Sequence, residues 1–223
     1  MLVTISYSEI CQMLLAAAGR IRGGHEMLSR LDSAAGDGDH GVSMLRAMEA
    51  VEKTINENTG TDLKALFSSV AWAVMSVDAG STGPLLGTFF KGLSEGATGR
   101  NEFDGVGLAA LVEAGTTKLQ MLSRAQIGDK TMMDAFLPAL TALKGADPAQ
   151  GIRTALQQAA AAAAQGAEAT KTMRAKFGRA RLMGERSLGM VDPGAMSVAM
   201  LFEGFYAASL SQTGNTQHEI IPH

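Results

Sequence analysis

Asp32-Ser33-Ala34-Ala35-Gly36-Asp37-Gly38-Asp39-His40-Gly41 joins two stretches of helical periodicity and packs three carboxylates into eight positions. Its glycines disfavour regular helix, so the carboxylates sit on a turn. Carboxylates this crowded repel one another unless a cation neutralises them, and an oxygen-only cluster suits Mg2+ or Ca2+. The structural alternative is an acidic turn whose aspartates cap a helix and face water. An EF-hand does not fit. The fifth position from Asp37 is Gly41, and the twelfth is Met48 instead of a bidentate Glu. Zinc does not fit either, because the four histidines are dispersed and Cys11 is far from them in sequence. The remaining metal reading is Mg2+ held by Asp32, Asp37 and Asp39, with waters or phosphate oxygens completing its shell. Such a site normally implies a phosphorylated ligand.

On both sides of the loop the apolar period is helical. Before it, Ser6 and Glu9 fit a capping box with Ile5 and Ile10 as its staple, and Met13, Leu14, Ala17 and Ile21 continue the face. After it, a second helix carries Val42, Leu45, Met48, Val51 and Ile55, and a third Leu63, Leu66, Phe67, Val70 and Val74. A fourth opens at Gly83-Pro84 and buries Leu86, Phe89, Phe90 and Leu93. A fifth is expected from about Asp104 to Leu122, and a sixth from near Thr131, kinked at Pro138. Asp147-Pro148 and Asp192-Pro193 open the seventh and eighth, each an N-cap followed by Pro. No segment reads as a strand. The expected fold is all-α, an eight-helix antiparallel up-and-down barrel or bundle. It forms one domain over 1–223, with its core at about 6–212 and a polar, fraying tail at 213–223.

The connections fall into two kinds. Those after helices two, four and six are ordinary. Those after helices one, three, five and seven are chemically loaded: Asp32 to Gly41, Asp78 to Gly83, Ser123 to Thr131, and Lys176 to Asp192. In an up-and-down arrangement all four lie at one end, where they can build one composite site. Gly80-Ser81-Thr82-Gly83 precedes a helix N-terminus, which favours anions, though ordinary caps look alike. In Gly128-Asp129-Lys130-Thr131, Lys130 can meet phosphate while Asp129 holds it or a metal-bound water. The alternative is a surface pair with Thr131 as N-cap. The fourth connection mixes Gly, charge and apolar residues, as an ordered lid would, and Arg179 is a candidate for phosphate contact.

Composition narrows the classes. Hydrophobic residues make up 46% of the chain and charged residues 18%, with a net charge of −3, so nothing points to nucleic acid or an anionic membrane. No stretch reaches the roughly 18 apolar residues of a membrane span. The single Cys11 fits a reducing cytoplasm, where the protein is expected.

Together the four segments resemble the nucleotide-binding L subunit of bacterial dihydroxyacetone kinase, also found as the C-terminal domain of single-chain dihydroxyacetone kinases. The matching residues are Leu31-Asp32, Gly36 to Gly41, Gly83 to Phe90, Gly128 to Met132, Gly178-Arg179-Ala180, Gly184 to Ser187 and Asp192 to Ala195. The resemblance implies an antiparallel eight-helix barrel with a nucleotide, ADP or ATP, and two Mg2+ ions at one end. It makes Asp32, Asp37 and Asp39 the metal ligands. It lays His40, Gly41, Val42 and Ser43 along the nucleotide, and Ser81 and Thr82 near its phosphates. Ser123, where the family often has Gly, Met132, Arg179, Asp192, Pro193 and Gly194 complete that set, with Met132 on the adenine. It assigns no general base to this chain. The acceptor, dihydroxyacetone or a related ketose, is implied to sit on a separate K subunit. A phosphotransferase-system M subunit recharges the nucleotide in some members, while others use ATP on a triose or tetrulose. Two other uses stay open: a nucleotide-sensing regulatory partner without catalysis, and a homodimer.

Overall fold

The computed structural model describes residues 2–211, so the tail expected to fray lies outside the described residues. Among the described residues there are eight α-helices: α1 (Tyr7–Ser33), α2 (His40–Glu57), α3 (Leu63–Ser76), α4 (Thr82–Gly96), α5 (Gly105–Ser123), α6 (Met133–Gly145), α7 (Gly151–Ala169) and α8 (Pro193–Leu210). Each helix packs on its neighbours in sequence, and α8 returns to pack on α1. The ring therefore closes into an all-α barrel.

The start signals work as their chemistry demands. Ser6 Oγ accepts the Glu9 amide while the Glu9 carboxylate accepts the Ser6 amide at 2.7 Å, and both staple residues, Ile5 and Ile10, are buried. Asp62, Asp104, Asp147 and Asp192 each accept a first-turn amide of the helix or 3-10 turn they precede. α6 runs as one element through Pro138.

Close approach at the helix crossings depends on glycine. A Cβ at Gly204 of α8 would lie 2.4 Å from Ala17 Cα of α1, and one at Gly92 of α4 would lie 2.5 Å from the Ala114 carbonyl of α5. A larger side chain at either place would push whole helices apart.

Two features differ from expectation. A two-stranded antiparallel ribbon exists, β1 (Thr4–Ser6) with β2 (Glu102–Asp104), and Ile5 faces Phe103 across it. The strands lead into α1 and α5, which lie on opposite sides of the ring, so the ribbon straps the end away from the loaded connections. With three residues each, the strands carry too few positions for a period-2 signal. Second, Val42 lies 42% exposed, outside the buried row of α2 made by Gly41, Met44, Met48 and Val51. No helix among the described residues is long and apolar enough to cross a membrane.

Candidate functional site

All four loaded connections meet at one end of the barrel around a cavity of about 640 Å³. The α1–α2 turn contributes Asp32, Asp39 and His40, and the α3–α4 turn Gly80, Ser81 and Thr82. The α5–α6 connection adds Ser123, Lys130 and Met132. The α7–α8 segment supplies Phe177 to Leu182 and then Asp192, Pro193 and Gly194. Four helices, α2, α4, α6 and α8, begin at this end, so the positive ends of their dipoles face it. Of the expected site residues, Asp37, Gly41 and Val42 do not line the cavity, and Asp37 stands beside it with Asp32 and Asp39. Gly41 instead marks the α1–α2 crossing, where a Cβ would come within 1.8 Å of the His25 carbonyl oxygen.

Asp32, Asp37 and Asp39 each offer a carboxylate oxygen, and these oxygens lie within 4.8 Å of one another. Asp39 stands at the N-cap of α2 but makes no side-chain cap bond, unlike the capping aspartates elsewhere in the chain. Its carboxylate is therefore free for a cation, which weakens the acidic-turn alternative. Burial and the Asp37 carboxylate raise the Asp39 pKa, and Arg179 pulls it back. The Arg179 guanidinium pairs with Asp37 and lies 3.9 Å from Asp39. It stands where a cation would: the donor set is all oxygen, clustered and balanced by one exposed positive charge. That chemistry fits Mg2+.

His40 caps the same corner. Its Nε2 lies 2.6 Å from Ser197 Oγ, and the Ser197 hydroxyl donates to the Pro193 carbonyl at 2.9 Å. With that proton committed, the network assigns the Nε2–H tautomer. Burial lowers the imidazole pKa, so the ring is neutral at pH 7.

The α5–α6 turn departs from expectation. Asp129 does not hold Lys130. It pairs with Lys176 of the α7–α8 segment at 2.6 Å, which lowers its pKa. Lys130 is buried and its Nζ donates to the Thr170 and Met190 carbonyls. Thr131 precedes α6 by two residues, and its hydroxyl accepts the Met133 amide at 3.2 Å. The sequence also missed Phe177, which lines the cavity. Its only signal was an aromatic beside Gly178 in the long connection.

Asp192 caps α8 through the Ala195 amide at 2.8 Å, and burial raises its pKa to about 7. Its folded value lies above the usual carboxylate range, so the neutral form is the one folding favours. That stabilisation is full below about pH 4 and fades as pH rises through about 7. Asp192→Asn keeps the cap and removes the ionisation. Its urea midpoint is expected to change less between about pH 5 and 8 than that of the unsubstituted chain. Parallel pH profiles would refute the assignment.

A family model for the DAK2 domain matches residues 34–207. The chain belongs to the DAK2 domain family. Within it the chain is of the DhaL type. It is 35% identical over 193 residues to the "PEP-dependent dihydroxyacetone kinase 1, ADP-binding subunit DhaL" of Listeria innocua, covering 86% of this chain and 91% of that one. It is 38% identical over 184 residues to the L-erythrulose 1-kinase of Mycolicibacterium smegmatis, covering 79% of this chain and 31% of that enzyme. The crystal structure of the dihydroxyacetone kinase from C. freundii in complex with AMP-PNP and Mg2+ superposes with a TM-score of 0.73 at 25% identity. That match covers 93% of the DAK2 chain and 35% of the solved chain, so the DAK2 chain spans about a third of that kinase.

Proposed function

We propose that this DAK2 chain, folded as one nucleotide-binding domain, is the phosphoryl-donor half of a dihydroxyacetone-type kinase. One observation carries the reading: three carboxylates, of which Asp32 accepts the His40 amide at 3.3 Å and Asp39 makes no cap bond, converge beside a cavity ringed by helix N-termini and closed by a basic segment. Asp32, Asp37 and Asp39 hold Mg2+, and two ions share them if phosphate oxygens and water complete both shells. Bound there, Mg2+ neutralises charge on the phosphates during transfer.

The chain's own residues do the positioning. Asp39 keeps its carboxylate out of the helix cap. Ser81, likewise without a side-chain cap bond, keeps its hydroxyl for a phosphate beside the N-terminus of α4. Ser43, Thr82 and Ser123 line the cavity with small polar groups. Met132 supplies an apolar surface for the base and packs beside Gly194, where a Cβ would lie 3.5 Å from it. His40, neutral and fixed by Ser197, orients the metal loop without serving as a base. Pro193 and Gly194 close the floor, and Arg179 exchanges its carboxylate partners for phosphate as the metal enters.

Relatives that are ADP-binding subunits of dihydroxyacetone kinases support an acceptor held by a partner, a K-type subunit. The PEP-dependent relative supports recharging of bound ADP by a further partner, an M-type subunit in this reading. The likeness to an L-erythrulose kinase supports a second reading, in which ATP exchanges at this site and the acceptor is a tetrulose. Mixing the chain with a dihydroxyacetone-loaded K-type subunit and ATP, or with the M-type relay, should yield the phosphorylated ketose. No product under either regime would refute a kinase role and favour a non-catalytic nucleotide sensor.

Arg179→Ala tests the exchange. Without nucleotide the variant is expected to bind Mn2+ about two- to fivefold more tightly, because its competitor is gone. With ADP it should release nucleotide faster. Unchanged Mn2+ affinity would show that Arg179 does not compete for the carboxylates.

A further inference from the structure

Lys130 is 3% exposed and takes no part in the mechanism above. Its Nζ donates to the Thr170 carbonyl at 2.6 Å and to the Met190 carbonyl. These two carbonyls are the feet of the segment that roofs the cavity: Thr170 follows α7 directly, and Met190 stands just before Asp192, the cap of α8. The feet are also tied to each other. The Gly189 amide donates to the Lys171 carbonyl at 2.7 Å, and the Asp192 amide to the Thr170 hydroxyl at 2.8 Å.

A second fastening holds the first limb of the roof. Asp129 accepts Lys176 Nζ at 2.6 Å, and the Asp129 carbonyl accepts the Lys176 amide at 3.1 Å. The turn that supplies both residues is set in advance. The Asp134 carboxylate, 1% exposed, accepts the Gly128 amide at 2.6 Å and the Thr131 amide at 2.7 Å. Between those amides Lys130 adopts φ 59°, a left-handed conformation that a lysine rarely takes. The strain aims the ammonium at the two feet, and charge-assisted hydrogen bonds offset it.

We infer that the turn Gly128–Thr131 is the clamp of the lid over the cavity, with Lys130 and Asp129 as positioning residues that set how long a nucleotide stays bound. The clamp itself stands on the hydrogen bonds; its consequence rests on the nucleotide reading of the cavity. Two measurements separate them. The first follows proteolytic cleavage within 174–188 in ligand-free protein by mass spectrometry. The second follows release of a fluorescent ADP analogue in Mg2+ by stopped flow, with helix content and thermal midpoint as controls.

In Lys130→Met both rates are expected to rise at least about tenfold, because two charge-assisted hydrogen bonds are lost. In Lys176→Met, at the exposed side of the clasp, both should rise about threefold with the thermal midpoint unchanged. If Lys130→Met does not fold, Lys176→Met decides alone. Unchanged cleavage in the folded variants would overturn the clamp. Faster cleavage with unchanged release would overturn its role in residence time. Faster cleavage in a chain whose unsubstituted form binds no ADP would uphold the clamp and refute the nucleotide reading.

Discussion

Asp37→Ala is expected to abolish Mg2+-dependent retention of ADP while leaving the helical barrel intact. Asp37 is exposed, caps no helix, and its ion pair with Arg179 is a surface contact of small value. Nothing in the fold depends on it. The metal does: removing a group that merely orients a metal ligand costs about 10–100-fold in affinity, and removing a ligand itself should cost about 100-fold or more. The acidic-turn alternative predicts the opposite pattern. There, losing one of three mutually repelling carboxylates would leave ADP binding unchanged and raise stability slightly. Circular dichroism and ADP titration on one preparation distinguish the two. A variant that binds ADP as tightly as the unsubstituted chain would defeat the metal assignment.

Gly41→Ala is expected to damage both fold and site. The added Cβ would meet the His25 carbonyl at 1.8 Å and Ser29 Oγ at 2.5 Å, and the nearer contact is backbone that no rotamer change can relieve. α1 and α2 must separate, at a cost of about 3 kcal/mol or more. For a chain of this length that lowers Tm by roughly 6–12 °C. Asp32 sits on α1 and Asp39 stands at the N-cap position of α2, so the same displacement is expected to open the carboxylate cluster and weaken ADP retention. A glycine that served only as a nucleotide contact would lose binding without losing stability. Gly60→Ala, where no atom lies closer than 3.7 Å to the added Cβ, is the neutral control. Equal thermal midpoints for the two variants would contradict the packing role.

The contrast between these two positions shows what the sequence made legible. Asp37 announced itself, because three carboxylates in one short turn are a local pattern with few explanations. Two helix starts were equally local: the capping box at Ser6 and Glu9 and the Asp-Pro pair at 192–193 name their own hydrogen bonds, whereas Asp147-Pro148 opens a 3-10 turn and α7 begins only at Gly151. The alternation of plain and loaded connections then placed the site at one end, and the cavity draws on all four of the loaded ones. Gly41 was harder. Beside an acidic loop its lack of a side chain suggested room for a ligand, whereas the space is filled by α1, distant by many residues. Val42 was assigned to the buried face because it is apolar. The true row runs through Gly41, Met44, Met48 and Val51, and small Gly41 hid it.

What escaped the sequence entirely was non-local pairing. Asp129 and Lys130 are adjacent, and adjacency suggested a pair. The structure sends one to Lys176 and the other to Thr170 and Met190, because the two side chains leave a left-handed turn in different directions. The ribbon that joins Ile5 to Phe103 likewise links residues no periodicity could connect. Ser197 of α8 fixing His40 at the start of α2 belongs to the same class. Local chemistry was readable wherever one turn contained it; partnerships across the ring required the ring.

If Asp32, Asp37 and Asp39 bind a nucleotide through Mg2+, affinity for ADP depends on the metal. Isothermal titration of the purified chain with ADP, once in Mg2+ and once in excess chelator, tests it most directly. One ADP per chain is expected to bind in Mg2+, with at least a hundredfold weaker binding, on the order of a ligand removal, in chelator. Equal affinity in both buffers, or no binding in either, would contradict it.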